Sequence, residues 1–127
     1  MEKIPVILDT DIGSDIDDTW ALIMMLNSPE LDIKLITSTT GNTVERAKII
    51  AKLLEISGHT EIPIGIGVNP DNHVCNQAAW VKDYNLADYP GQIYDDGVQA
   101  ITETIMSSQK EITLICIGPL PNIGEAL

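Results

Sequence analysis

Ile4-Pro5-Val6-Ile7-Leu8-Asp9-Thr10-Asp11-Ile12-Gly13-Ser14-Asp15-Ile16-Asp17-Asp18 is the stretch on which the reading of this chain turns. Ile4 to Leu8 is a β-rich apolar run that ends abruptly at acidic and glycine positions. The ten residues that follow carry five carboxylates, at Asp9, Asp11, Asp15, Asp17 and Asp18. From about Asp15 to Asn27, Trp20, Ala21, Leu22, Met24, Met25 and Leu26 fit a helix buried over much of its surface. A buried strand, an acidic loop and a helix are the first unit of an α/β protein.

The pattern continues outward. Ile33 to Thr39 reads as a second strand, and Asn42 as the cap of a helix to about Ser57, with Glu45 as capping-box partner and Gly58 as the stop. That helix buries Ala47, Ile50, Ala51 and Leu54. Ile62 to Ile66 is a short third strand. Residues 67–91, rich in Asn, Asp, Pro and Gly, read as a long surface excursion. Asp95 to Ser107 returns to helical period. Ile112 to Ile117 is an unbroken apolar strand of the kind found inside parallel sheets, and Asn122 to Leu127 begins a helix. The expectation is a single α/β domain over residues 1–127: an open parallel sheet with helices on both faces, in the Rossmann-like order 3-2-1-4. In such sheets ligands bind beyond the carboxyl ends of the strands, where Asp9 to Asp18, Thr39 to Asn42 and Gly118 to Asn122 all fall.

Five carboxylates in ten residues repel one another unless protons or a cation neutralise them. Hard oxygen donors without His or Cys suit calcium or magnesium rather than zinc. Gly13 would let the backbone turn tightly around an ion. The alternative is helix capping by Asp15, Asp17 and Asp18, but a cap needs one or two carboxylates, not five. Asp15 is the best candidate for a cap alone. An EF-hand fits worse, because Ser14 and Trp20 stand where its Gly and Glu belong.

The bulk composition is that of a globular chain: 44% hydrophobic and 20% charged, with no Phe. The net charge of −12 speaks against nucleic acid as a partner. The apolar run Ala21 to Leu26 is far too short to span a membrane, and the amino terminus does not read as a secretory signal. Cys75 and Cys116 make neither a disulfide framework nor a zinc pattern, and Cys116 reads as a core residue. A reduced, cytoplasmic setting is the default expectation. His59 and His73 read as exposed loop residues without a catalytic role. Trp80, Tyr84, Tyr89 and Tyr94 fit either a lid over the site or packing under the long loop.

Asp9-Thr10-Asp11-Ile12-Gly13, then Asp17-Asp18 and Ala21-Leu22, resembles the amino-terminal signature of the inosine-uridine preferring nucleoside hydrolases. Thr40-Gly41-Asn42 after the second strand and Gly118-Pro119-Leu120-Pro121-Asn122-Ile123 after the last one agree with it, in the same order. The resemblance implies a truncated core of that fold and calcium-dependent hydrolysis of the N-glycosidic bond of ribonucleosides. It assigns Asp11 as calcium ligand and general base, Asp18 as second ligand and the Pro121 carbonyl as a backbone ligand. Asp17 and Asn42 would bind ribose, and Asp9 would support the loop from beneath. The Asp-x-Asp pair after a strand is also similar to haloacid-dehalogenase phosphotransferases, though Gly13 departs from their pattern.

Two local departures stand out. Three residues, Ser14-Asp15-Ile16, separate Gly13 from Asp17 where the common family pattern has one, so either Asp15 or Asp17 could take the ribose role. Pro121 replaces the usual Thr, which keeps a carbonyl and removes an N–H. Family members are also much longer, and their carboxy-terminal half supplies a further Asp ligand, ribose-binding Asn and Glu residues and the acid for the leaving base. Three readings follow: a nucleosidase, a non-catalytic calcium- or ribose-binding module that works with a partner chain, or an inactive remnant. The last strand should form an unprotected sheet edge, which favours a homo-oligomer or association with another chain.

Overall fold

A computed structural model of the chain describes residues 2–68 and 75–127. His73 lies outside the described residues. Five parallel strands form one sheet in the order β4-β3-β2-β1-β5. In chain order the elements are β1 (Ile4–Thr10), α1 (Asp17–Leu26), β2 (Leu31–Ser38), α2 (Thr43–Ser57), β3 (Ile64–Ile66), β4 (Ile93–Tyr94), α3 (Gly97–Ser107), β5 (Thr113–Cys116) and α4 (Pro121–Ala126). The expected order 3-2-1-4 is present as β3-β2-β1-β5. The strand the sequence did not announce is β4, whose two residues are too few to show any periodicity.

Alternate residues of β1 feed two cores. Val6 and Leu8 meet Leu22 and Met25 of α1 and Ile49, Ile50 and Leu54 of α2 on one face. Ile7 meets Leu35, Ala100 and Ile101 on the other, with Ile123 of α4 packed at its margin. The helices therefore cover both faces, α1 and α2 on one and α3 and α4 on the other. The sequence positions β1 because a period-two strand with apolar residues at every position can only sit between two layers.

Several expectations need correction. α1 is buried along Asp18, Leu22 and Met25 only; Trp20 and Met24 are 64% and 67% exposed. The stripe 18-22-25 faces the sheet and the stripe 16-20-24 faces away, as a 3.6-residue period requires. β5 is only half-buried, including Cys116, because it is an edge and not an interior strand. The excursion after β3 has structure of its own, with 3₁₀ turns at Ala78–Val81 and Leu86–Asp88. Its aromatic residues pack rather than cover the site. Tyr89 is buried and donates its hydroxyl to the Ile62 carbonyl at 2.7 Å, and Tyr84 donates to Glu55 at 2.8 Å. Trp80 lies under the Lys52 ammonium, 4.5 Å from the ring centre. His59 is half-buried beside Glu61, at 3.6 Å. Asn42 does cap α2, accepting from the Glu45 N–H at 3.1 Å, while Glu45 Oε1 lies buried without a partner. Gly58 ends that helix in the left-handed region.

Candidate functional site

β1 runs two residues further than its apolar run, so Asp9 and Thr10 enter the sheet and are fully buried. Asp9 stands opposite Thr37 of β2 and Cys116 of β5. Its Oδ1 accepts from the Thr37 hydroxyl at 2.5 Å and from the Asn122 side-chain amide at 2.8 Å. Asn122 also donates to the Ser38 carbonyl at 2.9 Å and accepts from the Val68 N–H at 2.8 Å. One buried amide thus joins β1, β2, the chain after β3 and α4. Gly67 admits this approach, because a Cβ there would fall on the Ser38 carbonyl and the Asn122 amide. Asp9 Oδ2 is buried with no partner. Burial raises the Asp9 pKa, against the lowering effect of the Thr37 and Asn122 bonds.

Above this floor the acidic loop is wound by its own side chains. Thr10 Oγ1 accepts from the Ile12 N–H at 3.1 Å and donates to Asp18 Oδ2 at 2.7 Å. Gly13, at φ +112°, makes the turn, and a Cβ would stand 2.7 Å from Ile49 Cδ1. Asp18, in the first turn of α1, is 7% exposed. Burial first, and then its hydrogen bond to the Asp11 carboxyl, pushes its pKa up to about 6. Two carboxyl groups in hydrogen-bond contact need a shared proton or a cation between them. Asp15 and Asp17 are exposed. Asp15 is not a helix cap: the cap residue is Ile16, and no side chain bonds the first turn. Among the described residues no three His, Cys, Asp or Glu side chains converge as a metal cage.

The loop after β2 is drawn against the acidic loop. Arg46, the single arginine and 3% exposed, donates through Nε to the Thr40 carbonyl at 2.8 Å. Its Nη1 donates to the carbonyls of Asp11 at 2.6 Å and Ile12 at 3.0 Å, and to Ser14 Oγ at 3.0 Å. Thr40, at φ +67°, and Gly41, at φ +62°, turn the chain sharply before Asn42. Thr39 donates to the Pro119 carbonyl at 3.3 Å, which brings the loop after β5 alongside. Pro121 is the first residue of α4, a position suited to a residue without an N–H. Helical geometry directs its carbonyl along the axis toward the end of the chain.

The structure therefore sets Asp11 beside Asp18, with Asp9 beneath them, Asn42 at the cap of α2 and Pro121 at the first position of α4. It leaves Asp15 and Asp17 on the exterior of the loop. Sequence reasoning passed over Thr37 and Arg46, and gave Thr10 and Asn122, though both stand in the quoted motifs, no role of their own. Arg46 carried a signal, being a lone guanidinium among helix residues of apolar period. Asn122 was marked only as part of the turn after the last strand; its bond to Asp9 carried no signal, because the two residues are 113 apart in sequence.

Buried carboxylates gathered at the carboxyl ends of parallel strands define the class: an α/β protein whose site is built from hard oxygen donors. Within that class, the chain belongs to the inosine-uridine preferring nucleoside hydrolase family, whose model matches residues 6–127. It is 34% identical over 134 residues to the non-specific ribonucleoside hydrolase RihC of Klebsiella pneumoniae subsp. pneumoniae, covering 98% of this chain and 43% of that one. It is 35% identical over 131 residues to the enzyme of the same name from Salmonella typhi, covering 96% of this chain and 42% of that one. Among solved structures, a plant nucleoside hydrolase, the PpNRh1 enzyme, superposes with a TM-score of 0.78 at 27% identity, over 97% of this chain and 42% of that one. The purine-preferring ribonucleoside hydrolase from Gardnerella vaginalis gives 0.76 at 26% identity, over 97% and 43%. The chain thus spans less than half the length of the relatives it matches. No helix among the described residues is long and apolar enough to cross a membrane.

Proposed function

We propose that this chain supplies the amino-terminal half of a calcium-dependent ribonucleoside hydrolase site, with Asp11 and Asp18 as cation ligands and Asp17 and Asn42 facing the ribose. The observation that carries the reading is the Asp11–Asp18 pair, held in contact at an oxygen-rich rim with Asp18 raised to about 6. A calcium ion would replace the shared proton and relieve the repulsion. The orphaned Asp9 Oδ2 beneath it fits the same account, because a nearby dication favours a buried carboxylate. When bound there, calcium supplies Lewis acidity toward water and hydroxyl oxygens.

The chain's own residues do the rest. Asp9 and Thr10 fix the loop so that the Asp11 carboxylate faces outward as general base for the attacking water. Thr10 holds one oxygen of Asp18, which orients the other. Asn42 uses its side-chain oxygen for the cap, which leaves its amide N–H groups to donate toward a sugar hydroxyl. The local negative charge favours a sugar that acquires positive character as its bond to the base breaks. The Pro121 carbonyl, at the first position of α4, is the backbone ligand that adds to the two carboxylates. Asp15 is exposed beside Asp17 and is the alternate ribose contact. The half-buried edge strand β5 is where a further strand, from a second copy or another chain, would pair.

The test is incubation of the chain with calcium and uridine or inosine, followed by assay of released reducing sugar. Calcium-dependent release that Asp11→Asn removes supports hydrolysis by this chain. Calcium-dependent ribonucleoside binding without release supports a binding half-site. Neither, at millimolar ligand, overturns the reading.

A further inference from the structure

Among the described residues Arg46 is the one cation buried beside the acidic loop, and it pairs with no carboxylate there. Its four hydrogen bonds go to three backbone carbonyls and a hydroxyl, on two different loops. As a simple counter-charge it would be badly placed, since a fixed positive charge next to a cation site weakens cation binding. A buried guanidinium is retained more readily for its planar fork, which can hold several acceptors in a set geometry.

We propose that Arg46 is a positioning residue that locks the acidic loop and the Thr40–Asn42 turn into one unit. The function above gives this lock its purpose, because it sets Asp11, on one loop, against Asn42, on the other. Two features of the geometry argue for it. By engaging the carbonyls of Asp11 and Ile12, Arg46 draws the loop backbone inward, so the loop presents carboxylates rather than carbonyls at the rim. By engaging the Thr40 carbonyl, it holds a β-branched residue at φ +67°, a conformation such residues adopt only where the surroundings enforce it. Asn42 follows two residues later, so the direction in which that turn leaves the strand fixes where Asn42 stands.

Lysine keeps the charge and loses the fork, so Arg46→Lys separates the two roles. The experiment combines amide hydrogen exchange with calcium titration on wild type, Arg46→Lys, Arg46→Met and Ser14→Ala. The lock predicts that Arg46→Lys speeds exchange in segments 10–16 and 39–43 together, leaves α3 unchanged, and weakens calcium binding on the order of tenfold. Ser14→Ala, which removes one of the four bonds, gives a smaller change in the same direction and covers the case in which the Arg46 variants fail to fold. Adding Thr40→Gly to Arg46→Lys, by relieving the turn, recovers part of the loss. Normal exchange in Arg46→Lys, with tighter calcium binding in Arg46→Met, would mean that Arg46 acts only as charge and would overturn the lock. If wild type binds no calcium, the proposed function falls, while the exchange result alone still decides the lock.

Discussion

The two ends of the sheet hold charge in opposite ways. At the carboxyl ends, Asp9 and Asp18 are buried and each is held by a threonine hydroxyl. At the amino ends, Lys3, Lys34 and Lys110 line an open groove of about 450 Å³. Lys34 pairs with Asp32 at 2.6 Å and Lys110 pairs with Glu2, all with roughly half or more of each side chain in solvent. The groove has room for a ligand but makes no demand for one, because its charges are solvent-exposed and Lys34 and Lys110 already have carboxylate partners. At the carboxyl end the charges are buried and crowded instead. Desolvated like charges, with one carboxylate oxygen left unpartnered, are tolerated where something else is meant to complete them. Buried charge, and not cavity size, is what singles out the candidate site.

That contrast can be challenged by substitution. The largest effect is expected at the floor of the site. Asp9→Ala should cost about 2–4 kcal/mol in denaturant unfolding, because the Thr37 hydroxyl and the Asn122 amide lose their acceptor. Asp9→Asn keeps an acceptor and should stay within about 1 kcal/mol of wild type. Equal losses would show that the buried bonds contribute little. The next effect is pH-dependent. The Asp18 pKa is raised to about 6 in the folded chain, so the native state holds more protons than the unfolded one. Its contribution to stability is fully present below the unfolded value near 4 and is lost as pH rises through 6. Without metal, Asp18→Asn should therefore stabilise the chain by about 2–3 kcal/mol at pH 7 and by nothing at pH 4. The smallest effect belongs to the other end. Lys34→Ala should change stability by less than about 0.5 kcal/mol and leave calcium binding untouched.

How much of this could be read from the chain follows from how local each cause is. The order β3-β2-β1-β5 and both helical layers were readable, because Ile4 to Leu8 and its neighbours announce themselves within a few residues. The acidic loop was readable for the same reason: five carboxylates in ten residues state their own conflict. The Asp9–Asn122 contact was not, since it joins residues that meet only when β5 docks beside β1. β4 was hidden by its two-residue length, and the exposure of Trp20 and Met24 by composition that is apolar around the whole helix. Asp15 looked like a cap because charge near a helix start is a strong cue. The helix instead begins at Asp17, with no side-chain bond at its start.

The central claim is that Asp11 and Asp18 form a cation site and not merely a strained carboxyl pair. Calorimetric titration of calcium into the metal-free chain, beside Asp18→Asn and Asp88→Asn, tests it most directly. The account predicts saturable binding that Asp18→Asn abolishes and Asp88→Asn, in the 3₁₀ turn at Leu86–Asp88, leaves intact. Absence of binding in wild type, or an equal loss in both variants, would contradict it.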